Sequence, residues 1–139
     1  ALRSYVKQGG GLMLTHDTAW YMASPVPEVA RRDVPEHARH VESGRHVAEV
    51  DLKVTREHPA VEGVEKGTKF TPGFRDHMIF APGPNGTVVV ENVLGDPVYV
   101  IGEFGKGRVA FVGSYFGYRE PLDEPETTLF VSLLDWLAR

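Results

Sequence analysis

The chain contains no cysteine. That excludes disulfides, thiolate metal sites and thiol nucleophiles together. It has no long apolar run either: stretches such as Val109–Val112 fall far short of the roughly 20 residues that cross a bilayer, so a membrane is not an expected partner. Positive charge is not in excess, since 15 Lys and Arg stand against 19 Asp and Glu for a net charge of -4. Nothing in that balance attracts a polyanion, and nucleic acid is not an expected partner. Internal repeats and low-complexity tracts are absent. The chain opens on Ala1 with no signal-like apolar segment behind it. A processed or cut N-terminus and a cytoplasmic location are the corresponding expectations.

What is present is the composition of an ordinary globular protein. Hydrophobic residues make up 42% and charged residues 24% of 139, which favours a single folded domain over residues 1–139. Leu2, Tyr5 and Val6 recur at helical spacing, and Gly9-Gly10-Gly11 stops that helix. Leu12-Met13-Leu14-Thr15 then reads as a strand buried on both faces of a parallel sheet. Between Asp17 and Gly44 the pattern weakens into a long excursion, punctuated by Pro25, Pro27 and Pro35, with a short helix expected near Glu28–Arg32. Val47, Val50, Leu52 and Val54 mark one strand, and Phe74–Phe80 another. His58-Pro59 begins a turn. After the turn at 82–86, the runs Thr87–Leu94, Pro97–Glu103 and Arg108–Gly113 are joined by tight glycine links. They predict an antiparallel meander whose last strand is central. Asp123 and Pro125 start a final helix with Leu129, Phe130, Leu133, Leu134, Trp136 and Leu137 on its apolar face.

The fold class is therefore α/β. The opening helix, glycine turn and strand form half of a βαβ unit whose first strand is not among these residues. The expected architecture is the C-terminal portion of a flavodoxin-like sheet with an antiparallel extension, lacking its N-terminal βαβ portion. The sheet edge beside Leu12–Thr15 is then expected to be covered by another chain, in a homo-oligomer or by a covering partner. A small complete α+β domain is the alternative.

The segments YVKQGGGLMLTHDTAW, VTREHPAVEGV, FRDHMIF and DPVYVIGEFGKGRVAFVGSYFG, followed by the Trp-bearing helix, resemble in order and spacing the ThuA-like (trehalose-utilisation) proteins. That family is similar in fold to class I glutamine amidotransferases. The resemblance implies an amidotransferase-like sheet, an association with carbohydrate, and a site at the turn after the first strand. Active amidotransferases carry a Gly-x-Cys-x-Gly elbow at that turn; here it reads Leu14-Thr15-His16-Asp17-Thr18. Cysteine-dependent amidotransferase chemistry is excluded on residue grounds. Where some ThuA-like members have Gly-His after the last strand, this chain has Gly113-Ser114.

His16 and Asp17 fall just past the carboxyl end of a strand, where open α/β sheets bind their ligands. His16, Asp17 and Asp76 are the candidate catalytic residues. Trp20, Tyr21, His77 and Tyr115 are the candidate ligand-binding residues, because sugar rings stack on aromatic faces while their hydroxyls need polar partners. Each has a plainer alternative. His16 could bond a neighbouring loop, Asp17 could cap the next turn, and the aromatics could pack the sheet edge. Imidazole and carboxylate could also hold a divalent metal, with His16, His46 and His77 as candidate ligands, although their spacing follows no zinc motif. His37 and His40, in a charged stretch, read as solvated surface. The sequence requires no cofactor. Gly9–Gly11 precedes a strand, so it is not a phosphate loop.

Three readings remain open at this level. The first is a carbohydrate-associated domain that binds or processes a sugar or other small molecule. The second is a non-catalytic interaction module of a larger protein or oligomer. The third is a metal-dependent hydrolase. A glycoside hydrolase would need two carboxyl groups about 5–10 Å apart, and Asp17 and Asp76 are the natural pair.

Overall fold

In the computed structural model of the chain the described residues are 1–21, 23–32, 46–48, 50–74, 76–117 and 122–139, with the backbone alone described at 20, 21 and 46–48. Helix α1 (Leu2–Lys7) leads through the glycine turn to strand β1 (Gly11–Thr15), and helix α2 (His16–Tyr21) follows without a break. Gly9 adopts a φ of +118°, the left-handed conformation that glycine reaches without a Cβ penalty. Strands β2 (Ala30–Arg32), β3 (His46–Ala48) and β4 (Leu52–Val54) come next, then a 3-10 turn (Pro59–Val61) and β5 (Lys69–Phe70). Strands β6 (Asp76–Met78), β7 (Phe80–Pro82), β8 (Thr87–Asn92), β9 (Pro97–Phe104) and β10 (Gly107–Val112) precede the last helix, α3 (Glu126–Ala138).

Six strands form one sheet in the order β1-β10-β9-β8-β4-β5. The β1–β10 pair is parallel, with Leu12 opposite Val109 and Thr15 opposite Val112, and the pairs from β10 to β5 are antiparallel. The α/β class and the meander of β8, β9 and β10 are as the sequence predicts. Two further two-stranded ladders, β2–β7 and β3–β6, lie outside the main sheet.

Strand alternation divides the core. Val109 and Phe111 of β10 join Val6 of α1, Leu14 of β1 and Ala19 of α2 on one face. Ala110 and Val112 join Leu129, Leu133 and Trp136 of α3 and Val61 of the 3-10 turn on the other. The four residues Val109–Val112 are all buried, which is why the strand that carries them is interior.

Several expectations change. Residues 30–32 are a strand rather than a helix end, because Ala30 is buried against the α1 side of the core while Arg31 and Arg32 project outward. Val47 and Val54 belong to two strands in different sheets, and the chain breaks at Asp51, whose carboxylate accepts the Thr71 hydroxyl and whose carbonyl accepts the Val93 N–H. Phe74–Phe80 likewise divides at Ile79, where the partner changes from β3 to β2. Strand β1 has β10 as its one neighbour among the described residues, so Leu14 is buried while Leu12, Met13 and Thr15 are half-exposed. The apolar faces of the two helices are only partly covered. Val6 is buried but Leu2 and Tyr5 are exposed, and Leu134 is exposed where Leu133 is not. The N-terminus of α3 is capped by no side chain of Asp123, which contributes its backbone carbonyl to the Thr127 N–H. Most of the expected excursion, residues 33–45 with Pro35, His37 and His40, lies outside the described residues.

Candidate functional site

The first residue after β1 is His16, and its φ is +41°. A non-glycine residue in this region costs about 1–2 kcal/mol, and such conformations concentrate where a side chain is held for a purpose. The strand therefore turns into α2 through an elbow at the place where the family resemblance puts one, but without flanking glycines and with an imidazole at its apex. The ring is almost wholly enclosed, at 3% exposure.

Two carboxylates attend it. Asp76, on β6, places Oδ1 2.9 Å from Nε2. Asp17, in the first turn of α2, lies 3.6 Å from Nδ1. An acid in a first helical turn also faces the positive end of the helix dipole. A carboxylate on one ring nitrogen fixes the tautomer and orientation of an imidazole. Phe74 and Tyr115 complete the enclosure, with ring centroids 5.5 Å and 4.9 Å from that of His16, both edge-on, and 5.3 Å from each other. The carboxylates are the more accessible part: the Asp17 side chain is 41% and the Asp76 side chain 16% exposed.

Buried polar contacts from the core hold this ring of residues. Glu126, at the start of α3, accepts the Gly73 N–H at 2.8 Å and so ties down the segment that carries Phe74. Burial raises its carboxyl above the usual range. Tyr99, buried on β9, donates its hydroxyl to Ser114 at 2.7 Å, next to Tyr115.

His77 takes the opposite face of β6 from Asp76, as strand alternation requires. Its Nε2 faces Asn92 Nδ2 at 3.2 Å. The Asn92 Oδ1 already accepts the N–H groups of Leu94 and Asp96, and its Nδ2 also donates to the Asp96 carboxylate. The amide orientation is thereby set and His77 Nε2 is the acceptor. Burial pushes the pKa of His77 down to about 4.

The structure thus gathers His16, Asp17, Asp76 and Tyr115 at one place, with the backbone of Trp20 and Tyr21 on the helix that begins there. The side chains of Trp20 and Tyr21 lie outside the described residues. His77 is joined to the β8–β9 hairpin. His46 is described only by its backbone, opposite Met78. Among the described residues no group of three or more His, Asp and Glu side chains is arranged to hold a metal ion. Of the candidate glycosidase pair, Asp76 contacts one nitrogen of the imidazole at 2.9 Å and Asp17 lies 3.6 Å from the other. His58 is elsewhere: its Nδ1 accepts the Ala60 N–H at 3.0 Å and caps the 3-10 turn, and its ring meets Trp136 edge-on at 5.5 Å. Two surface concavities lie in that region, one of about 990 Å³ along residues 57–66 and a smaller one of about 440 Å³ between His58, Glu103 and Trp136.

Phe74 and the four supporting residues Tyr99, Ser114, Glu126 and Asn92 are not among the candidates that the sequence offers. Phe74 was accessible to it, since alternation puts residues 74 and 76 of an extended segment on one face. The supporting contacts span up to 53 residues and leave no local pattern.

No family model matches the chain, and no curated protein sequence does. Solved structures do. A cytoplasmic protein from Salmonella typhimurium superposes with a TM-score of 0.68 at 22% identity, over 98% of this chain and 58% of its own. A ThuA-like protein from Parabacteroides merdae gives 0.65 at 14% identity, over 99% and 63%. The beta-galactosidase from Rahnella sp. R3 gives 0.61 at 12% identity, over 99% of this chain and 20% of that enzyme. The likeness is one of fold. The ThuA-like fold agrees with the resemblance read from the sequence, and the chain spans a little over half the length of the Salmonella protein. No helix among the described residues is long and apolar enough to cross a membrane.

Proposed function

We propose that the chain is a ThuA-like, amidotransferase-fold domain that binds a small polyhydroxylated ligand, of carbohydrate type, over the elbow at His16. The observation that carries this reading is the elbow itself. His16 keeps a left-handed backbone, sits on Asp76 and packs beside the paired rings of Phe74 and Tyr115. The two partly exposed carboxylates offer acceptors to hydroxyl groups, and the adjoining half-buried aromatic rings offer apolar surface to a sugar ring. The ThuA-like and beta-galactosidase neighbours share the fold and lend the carbohydrate reading its context.

The role proposed is binding. With no thiol in the chain, the elbow has no counterpart of the amidotransferase nucleophile. The imidazole contributes by holding Asp76 in place through the 2.9 Å contact of its Nε2. Saturation-transfer NMR with a panel of neutral mono- and disaccharides tests the proposal. Binding of at least one sugar at millimolar concentration or below is expected, with loss of at least tenfold in affinity for Asp76→Asn and for Tyr115→Ala while the fold is retained. A panel without binders, or binding indifferent to both substitutions, overturns it.

A further inference from the structure

At the end of the sheet away from His16, the α3 side of the fold carries a second group of polar side chains. Strand β10 begins there, and its Arg108 stands four residues of extended chain, about 13 Å, from Val112, the partner of Thr15. Glu103 lies opposite Arg108 in the β9–β10 register, and Thr87 lies opposite Ile101 in the β8–β9 register. Ile101 belongs to the half of the core that α3 covers, and alternation puts Thr87, Glu103 and Arg108 on that same face. His58, at the start of the 3-10 turn, and Trp136, in the last turn of α3, stand over this stretch of sheet. With Asn85 they close the concavity of about 440 Å³, a volume in the range of small-molecule sites.

The hydrogen-bonding capacity left over in this cavity is of one kind. Asn85 spends its Nδ2 on the Glu103 carbonyl at 3.4 Å, which leaves the amide oxygen as an acceptor. The Thr87 hydroxyl makes no hydrogen bond to a described residue. The Glu103 carboxylate meets Arg108 at 3.5 Å through one oxygen and stays 71% exposed. Charge points the same way. Arg108 donates to the Trp136 carbonyl at 3.0 Å, so its guanidinium is drawn to the negative end of the α3 dipole. Burial, and then the neighbouring Arg56, lower the pKa of His58, and its Nδ1 is taken by the Ala60 N–H, so the ring is neutral at pH 7. Glu103 is then the one charged side chain among the described residues that line the cavity. Ile101 and Trp136, 1% and 6% exposed, supply apolar wall.

We propose that this cavity binds a small primary alkylammonium ion, with its N–H donors shared among the Glu103 carboxylate, the Asn85 amide oxygen and the Thr87 hydroxyl, and its alkyl chain against Ile101 and Trp136. An ammonium group carries three donors and no acceptor, which is the complement of three acceptors and one negative charge. An alcohol of the same length brings a single donor and no charge, and a carboxylate would be set against Glu103. The cavity shares no side chain with the elbow at His16 and lies at the opposite end of β10, so it is a separate site for a different class of ligand.

The test is a titration of the isotope-labelled chain with n-butylamine at pH 7 and low salt, followed by NMR at the amides of residues 85–87 and 101–103 and at the Trp136 indole N–H. Saturable shifts with a Kd of about 1 mM are expected, weakening as salt is added. The isosteric alcohol 1-butanol should bind at least about tenfold more weakly, and Glu103→Gln, at an exposed position, should weaken the amine about fivefold or more. Asp76→Asn, at the elbow, should leave amine binding unchanged. Shifts that do not saturate, an alcohol that binds as well as the amine, or indifference to Glu103→Gln overturns the proposal. Nα-acetyl-lysine methylamide presents the same ammonium on a peptide backbone and should bind no more tightly than butylamine; tighter binding would assign the cavity to a lysine of a protein partner and overturn the small-molecule reading. The sugar test at His16 uses neutral ligands and other substitutions, so the two proposals stand or fall apart.

Discussion

At the scale of single residues, the elbow histidine carries two separable properties, a backbone conformation and a ring. His16→Ala removes the ring and keeps the left-handed backbone on a residue with a Cβ; His16→Gly removes both. The glycine variant should therefore be the more stable of the two by about 1 kcal/mol in urea denaturation. Two buried titratable groups make opposite contributions to the pH dependence of stability. His77 is neutral in the folded protein, its pKa depressed from 6.5 to about 4. The unfolded chain takes up that proton first, so this contribution is complete above pH 6.5 and disappears as pH falls towards 4. Up to about 3 kcal/mol is involved. Thermal unfolding across that window should show Tm dropping with acid, and His77→Gln should flatten the slope. Glu126 has its pKa raised by burial, so its contribution is present below the unfolded carboxyl pKa and is lost as pH rises through the folded one. Glu126→Gln retains an acceptor for the Gly73 N–H and should raise Tm at pH 7, with the gain vanishing near pH 4.

At the scale of elements, the short pieces decide what the long ones carry. The 3-10 turn at Pro59–Val61 rests on its cap, because His58 both accepts the Ala60 N–H and packs on Trp136. His58→Ala should cost about 1–2 kcal/mol and should shift the emission of Trp136, which fluorescence-detected unfolding would report. The same comparison shows where the sequence was readable. The helix at 126–138 and the meander from Thr87 to Val112 follow from periodicity and glycine turns, which are local. The strands at 46–48 and 52–54 looked like one because alternation runs through both. What divides them is the choice of partner, β6 for one and β8 for the other, and partners far away in sequence leave no mark on the segment itself. That His16, Asp17, Asp76 and Tyr115 share one end of the sheet was legible in the sequence because each follows or forms a strand end. The recruitment of Phe74 through Glu126 arises only when α3 packs against the sheet.

At the scale of the whole molecule, β10 is the strand on which the rest is assembled. It pairs with β1 on one side and β9 on the other, and its alternate residues feed both halves of the core. Phe111, fully buried and edge-on to Phe80 at 5.7 Å, joins the sheet to β7. Phe111→Ala should remove about 3–5 kcal/mol, a large share of the stability of a domain this size. Loss of the helical and aromatic circular-dichroism signals should then occur in one transition at a much lower urea concentration. The likeness in fold to longer structural neighbours is carried at 22% identity or less.

Asp76 and His77 are consecutive on a three-residue strand, and they serve opposite sides of it. A slip of one position in one direction would set His77 against His16 at the elbow and Met78 against Asn92 at the hairpin, and a slip in the other would set the Asp76 carboxylate beside Asp96. The chemistry of these neighbours therefore proofreads the alignment of β6 with β3, and a protein that shows a correctly bonded His16 ring in its NMR spectrum has also reported, at a distance, that its hairpin is tied.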